Sequence, residues 1–157
     1  MNSVKKFLKG FTYAFSGLLF CIRSCKNFRF HLVAMAFVLY FSKHFDFDHS
    51  TYLVLFILFA LVLSAEAFNT ALEQTCNSIT EKPLESIKRA KDAAAAAVLI
   101  TAVFATIIAV ILFLKDFKII YVLIDYVTNP LKCIALLAAL VLSFIFVFCE
   151  GLYKNGK

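Results

Sequence analysis

Ser64-Ala65-Glu66-Ala67-Phe68-Asn69-Thr70-Ala71-Leu72-Glu73-Gln74-Thr75-Cys76-Asn77 continues an apolar run that starts at Tyr52. Two glutamates and two asparagines therefore stand at the end of what reads as a membrane helix. At 100° per residue, Glu66, Asn69, Glu73 and Asn77 fall within roughly 80° of arc, on one face over three turns. Ionisable groups near hydrocarbon are expensive and by default functional. A helix end meeting headgroups and water accounts for Asn77 and for Glu73. It accounts poorly for Glu66, which follows the apolar run with only Ser64 as an earlier polar residue.

The surrounding chain has the composition of a membrane protein. Of its 157 residues 62% are hydrophobic and the mean hydropathy is +0.88, against roughly 45–50% apolar in a soluble domain. The class is all-α integral membrane, in one domain. Four Gly and two Pro leave no room for a linker. The five cysteines, Cys21, Cys25, Cys76, Cys133 and Cys149, are odd in number and form no CxxC pair. That argues against a disulfide framework or a structural zinc site. The net charge of +6 reads as cytoplasmic loops and contacts to anionic headgroups, not as nucleic-acid binding.

Residues 3–24 lack the long uninterrupted apolar stretch of a signal peptide. Phe7, Phe11, Phe15, Leu18, Leu19 and Ile22 recur at spacings of three and four, with Lys5, Lys6, Lys9 and Arg23 supplying charge. This predicts an amphipathic helix lying in the headgroup layer. Spans are predicted over about 28–43, 51–79 and 84–114. The first is short against the ~20 residues that a bilayer wants. Pro83 separates the second from the third, and Ala93 to Ala97 let a neighbouring helix approach closely. Residues 1–115 form the core. Residues 116–157 add an interfacial segment, ended by Pro130, and a fourth span over about 131–149. Basic residues gather at the N-terminus, around Lys26 and Arg29, between Lys82 and Lys91, and after Glu150. With four spans all these clusters share one side, which places both termini in the cytoplasm.

A carboxylate at the hydrocarbon edge can serve as a general base. A second carboxylate two turns nearer water can hold a hard divalent cation, and Lys91-Asp92 can position a phosphate with its Mg²⁺. There is no G-x-x-x-x-G-K-[ST] loop and no kinase-type Gly-rich loop, so helix side chains would hold any nucleotide. An ion or proton pathway also needs buried carboxylates, so spacing alone leaves that reading open.

Glu66-Ala67-Phe68-Asn69-Thr70-Ala71-Leu72-Glu73, followed by Arg89-Ala90-Lys91-Asp92 and an alanine-rich span, resembles the bacterial diacylglycerol kinase and undecaprenol kinase family of small membrane lipid kinases. Tyr13-Ala14-Phe15-Ser16-Gly17-Leu18 and Asn27-Phe28-Arg29-Phe30-His31 add to the likeness, which covers about residues 5–114. The resemblance implies an inner-membrane homotrimer with shared active sites, using ATP and Mg²⁺. In that setting Glu66 is the base acting on the lipid's primary hydroxyl. Asn69 supports the acceptor, and Glu73 binds the metal. Lys91 and Asp92 contact nucleotide, together with Tyr13 and Lys6 from the surface helix. Two positions depart from the pattern. Cys25 stands where the family has a metal-binding glutamate, and Asn77 stands where it has the last acid of the helix motif. A thiol is a poor ligand for hard Mg²⁺. The alternatives to an active kinase are a catalytically degenerate relative and a non-enzymatic scaffold or ion pathway.

Overall fold

The computed structural model describes residues 3–79, 84–115 and 117–149. Among them are six helices and no strand: α1 (Ser3–Ser24), α2 (Lys26–Ser42), α3 (His49–Ile79), α4 (Glu85–Leu114), α5 (Lys118–Thr128) and α6 (Pro130–Phe148). The expected break at 80–83 and the tail from residue 150 lie outside the described residues. Three helices, α3, α4 and α6, are long and apolar enough to cross a membrane. The shorter α2 has 17 residues, about 25 Å of helix.

Local chemistry sets the helix ends. Asp48 caps α3: its Oδ1 accepts from the Thr51 backbone N–H at 2.9 Å and also from the Thr51 hydroxyl. This satisfies a donor that the first turn leaves orphaned, and α3 therefore begins two residues before the predicted 51. Asn129 caps α6 in the same way, its Oδ1 accepting from the N–H groups of Leu131 and Lys132. Pro130 is the first residue of α6, where its missing N–H costs nothing. It was expected to end the preceding segment, and one residue thus both stops α5 and starts α6. Between α4 and α5 the chain turns through Phe117 at φ 50°, a left-handed conformation uncommon outside glycine.

Contacts between helix ends set their relative directions. The Cys25 thiol, at the start of α2, meets Glu66 of α3 at 3.0 Å. The Ser42 hydroxyl, at the end of α2, meets the Tyr52 hydroxyl at 3.5 Å. Helix α2 therefore runs antiparallel to α3 across the slab between Glu66 and Tyr52, about 21 Å thick. Helix α4 returns to the Tyr52 end, where the Phe113 ring lies 4.8 Å from that of Phe45. Helix α6 then descends until its last turn reaches Arg29. The result is an up-down-up-down array with α1 at the Glu66 end and α5 across the other. Helices α3 and α4 share the most extensive contact. Along α4 the half-buried positions include Ala94, Val98, Thr101, Ala105, Ile108 and Leu112, a seam at spacings of three and four of the kind that packs helices.

The Tyr52 end is closed by Phe45, Val122 and Tyr126, with Phe41, Phe47, Phe113, Ile119 and Leu136 against them. Within it the Tyr126 hydroxyl donates to Tyr40 at 2.7 Å. His44 Nε2 lies 3.1 Å from the same hydroxyl, and since Tyr126 has one proton, His44 is the donor there. Elsewhere many large apolar side chains face outward. No residue of α4 is buried, and Leu99, Phe104 and Ile111 are each 60% or more exposed. Such surfaces belong against hydrocarbon or another protein chain.

Candidate active site

Glu66 lies at the centre of the Glu66 end and is 0% exposed, the only fully buried carboxylate among the described residues. Its Oε1 accepts from the Cys25 thiol at 3.0 Å. Its Oε2 is buried without a hydrogen-bond partner, and so is Oδ1 of Asn69, one turn further along α3. A buried polar atom left unpaired forfeits about 1–3 kcal/mol. Two such atoms on one helix face, three residues apart, form a place prepared for a polar group supplied from outside. The Thr70 hydroxyl is spent on the Glu66 backbone carbonyl at 2.9 Å. It therefore steadies the helix and does not compete for the carboxylate.

Cys25 sits at the elbow between α1 and α2 in an extended conformation, φ −114°, ψ 110°. The bend aims its sulfur across at α3. Burial, and after it the hydrogen bond to Glu66, push the thiol up from its ordinary range. The group is thus a neutral S–H donor to a carboxylate, the opposite of the soft thiolate that binds metals.

The remaining candidates form a wetter layer. Glu73, two turns beyond Glu66 and about 10 Å along the axis, is exposed. Asn77 Oδ1 accepts from the Lys91 ammonium at 2.7 Å, which joins α3 to α4. Asp92 follows on α4, exposed. Lys6 and Tyr13 stand on the exposed part of α1, where the Lys9 ammonium lies 5.8 Å from the Tyr13 ring centre. Two pairings are therefore assembled within one chain, Cys25 with Glu66, which the sequence did not suggest, and Asn77 with Lys91. Tyr13 and Lys6 make no hydrogen bond with the α3 and α4 residues among the described contacts.

The donor set accommodates Mg²⁺ in a limited way. Asn77 accepts from Lys91 and Cys25 is a neutral donor, so the exposed carboxylates Glu73 and Asp92 are those left for it in this layer. Mg²⁺ keeps most of its waters and commonly takes one or two carboxylates plus substrate phosphates. No cluster of three or more His, Cys, Asp and Glu that could cage a metal exists among the described residues.

On the membrane side of Glu66 an apolar cavity of about 190 Å³ lies between α2, α3 and α4. Val62 and Leu63 line it one turn from Glu66, with His31 and Phe30 from α2 and Ala102, Ala105 and Ala109 from α4.

Arg29 was missed as a structural centre. It is 1% exposed. Its Nε and Nη2 donate to the Val147 carbonyl at 3.1 and 2.8 Å, and its Nη1 donates to the carbonyls of Ile22 and Arg23, both at 3.0 Å. In the sequence it reads as one more basic residue beside the membrane. Its setting between Phe28 and Phe30 was the available sign that it is enclosed.

The profile of the prokaryotic diacylglycerol kinase family matches residues 12–113. An undecaprenol kinase of Bacillus subtilis is 36% identical over 113 residues, covering 72% of this chain and 92% of the relative. A diacylglycerol kinase of Synechocystis is 32% identical over 102 residues, covering 64% of this chain and 58% of the relative. No solved structure gives a significant match. The family match ends at the close of α4, so α5 and α6 lie beyond it. The unmatched part of the Bacillus relative, about ten residues, is too short for a span such as α6. With the motif of α3, the Lys91-Asp92 pair and the helical membrane architecture all in place, the chain belongs to the prokaryotic diacylglycerol kinase family and is a membrane lipid kinase.

Proposed function

We propose that this protein transfers the γ-phosphoryl group of ATP to the primary hydroxyl of a membrane lipid, undecaprenol or diacylglycerol, at the cytoplasmic face of the inner membrane. The observation that carries this reading is Glu66, wholly buried at the end of an apolar helix. One of its oxygens is held by Cys25 and the other is unpaired beside the unpaired Oδ1 of Asn69. The lipid hydroxyl donates to Glu66 Oε2 and, as its oxygen attacks the γ-phosphorus, passes its proton there. The bond from phosphorus to the bridging oxygen breaks and ADP leaves with that electron pair. Asn69 steadies the hydroxyl. Lys91 and Asp92 hold the nucleotide, with Tyr13 and Lys6 brought over it from α1. Glu73 would hold Mg²⁺, which neutralises the phosphate charge. The cavity beneath Glu66 suits the first part of the acceptor's hydrocarbon chain.

The orientation follows from charge. Lys5, Lys6, Lys9, Arg23, Lys26, Lys88, Arg89 and Lys91 all belong to the Glu66 end. At the opposite end lie fewer basic residues, Lys43, Lys115, Lys118 and Lys132, of which the last two are paired with Asp46 and Asp125. That asymmetry supports a cytoplasmic Glu66 end. The outward apolar faces of α3 and α4 fit a homotrimer in which neighbours complete each site.

The test is transfer of labelled γ-phosphate to undecaprenol and to diacylglycerol in mixed micelles across a range of Mg²⁺. Product with at least one lipid is expected, lost in Glu66→Gln while nucleotide binding persists. Absence of product with both lipids would overturn the reading, and ATP-independent proton flux in liposomes would then favour an ion pathway.

A further inference from the structure

The added span α6 ends on Arg29, and the consequence reaches the reaction centre. Every helix leaves its last carbonyls without intrahelical partners, and its C-terminus carries partial negative charge. Two such ends, those of α1 and α6, converge here. The Arg29 guanidinium lies between them, bonded to Ile22 and Arg23 on one side and to Val147 on the other. Its planar fork reaches both at once, which a single ammonium cannot do. Arg29 itself belongs to the first turn of α2, and its backbone N–H donates to the Cys25 carbonyl at 3.3 Å. The Cys25 N–H in turn donates to the Cys21 carbonyl at 2.9 Å. The elbow that aims the Cys25 sulfur at Glu66 is thus bracketed by groups that Arg29 ties to α6.

From this arrangement we infer that Arg29 is a positioning residue through which α6, a span outside the family match, holds the α1–α2 elbow and with it the Cys25 contact to Glu66. The described contacts of Arg29 are to backbone carbonyls of α1 and α6 and not to a reacting atom. It fixes the bend, the bend fixes the thiol, and the thiol holds Oε1 so that Oε2 faces the acceptor. The kinetic consequence rests on Glu66 being the base, whereas the structural link does not.

The experiment uses the full chain in detergent micelles and two variants, Arg29→Lys and Val147→Gly. The second loosens the last turn of α6 without touching the site. Alkylation of each cysteine by N-ethylmaleimide is followed by peptide mass mapping in resting protein, and kcat and the KM for ATP are measured alongside. Arg29→Lys is expected to speed Cys25 alkylation about tenfold, the scale of losing a charged hydrogen bond. Val147→Gly should do so severalfold. Cys76 and Cys133 should keep their rates. In both variants kcat falls by a larger factor than the KM for ATP rises, because Lys91 and Asp92 of the nucleotide layer are untouched while α1 is held less firmly. An unchanged Cys25 rate in Arg29→Lys would overturn the link. So would a parallel rise at Cys76 and Cys133, which would make Arg29 a general folding residue. If Glu66→Gln keeps turnover, the base assignment fails by itself and the alkylation result still decides the role of Arg29.

Discussion

Cys25 and Glu66 form a pair in which a half-buried thiol donates to a fully buried carboxylate. The pair gives Glu66 one committed oxygen and one open one, which suits a base that must present a single lone pair to a hydroxyl. Removing the donor should free the carboxylate to rotate. Cys25→Ala is expected to lower kcat about tenfold, and Cys25→Ser, which keeps a donor at nearly the same place, should recover most of it. Equal rates for the alanine and serine variants would show that the contact is incidental to catalysis. Asn77 is the second departure from the family pattern, and its oxygen is occupied by Lys91. Asn77→Asp adds a carboxylate one turn beyond Glu73. It should lower the Mg²⁺ concentration for half-maximal rate severalfold, read by titrating the metal at fixed ATP.

Helices α5 and α6 are joined by a two-residue device, Asn129 as cap and Pro130 as first residue. The cap satisfies the first N–H groups of α6 at the level where that helix enters the apolar layer. Asn129→Ala should destabilise the fold by about 0.5–2 kcal/mol, read as a fall in thermal midpoint in detergent. Helix α1 is attached differently. Its exposed Phe7, Phe11 and Phe15 face no other element of the chain, and only Cys21 near its end is buried. Its natural neighbour is the headgroup layer, and the proposed function has Lys6 and Tyr13 reach the nucleotide from there.

Across the whole molecule, the proposed chemistry lies at the Glu66 end and the aromatic closure at the Tyr52 end. The closure depends on a protonated tyrosine. Burial, and next the hydrogen bond to Tyr40, push the Tyr126 hydroxyl up to about 12 from 10.0. A group whose affinity for its proton is raised by folding stabilises the fold below its unfolded value. That contribution is lost as pH rises from about 10 through about 12. Thermal midpoints should therefore decline across this window in the parent protein. The decline should be shallower in Tyr126→Phe, which has no proton to lose. Identical slopes in the two proteins would show that Tyr126 does not report on closure.

Periodicity and composition determined the helical class, the amphipathic α1 and the three long apolar helices α3, α4 and α6, because hydrocarbon admits little besides helices with satisfied backbones. They also determined the shared face of Glu66, Asn69, Glu73 and Asn77, since those four lie on one helix whose geometry is local. Family pattern added the pairing of that face with Lys91 and Asp92. What stayed out of reach depended on contacts between segments far apart in the chain. Cys25 and Glu66 are 41 residues apart, and Arg29 and Val147 are 118 apart. No local signal marks a thiol as the donor to a particular carboxylate, or an arginine as the clasp on the end of a distant span. Only the tertiary structure decided those two contacts, because each is set by where helix ends converge in space and not by the spacing of residues along any one helix.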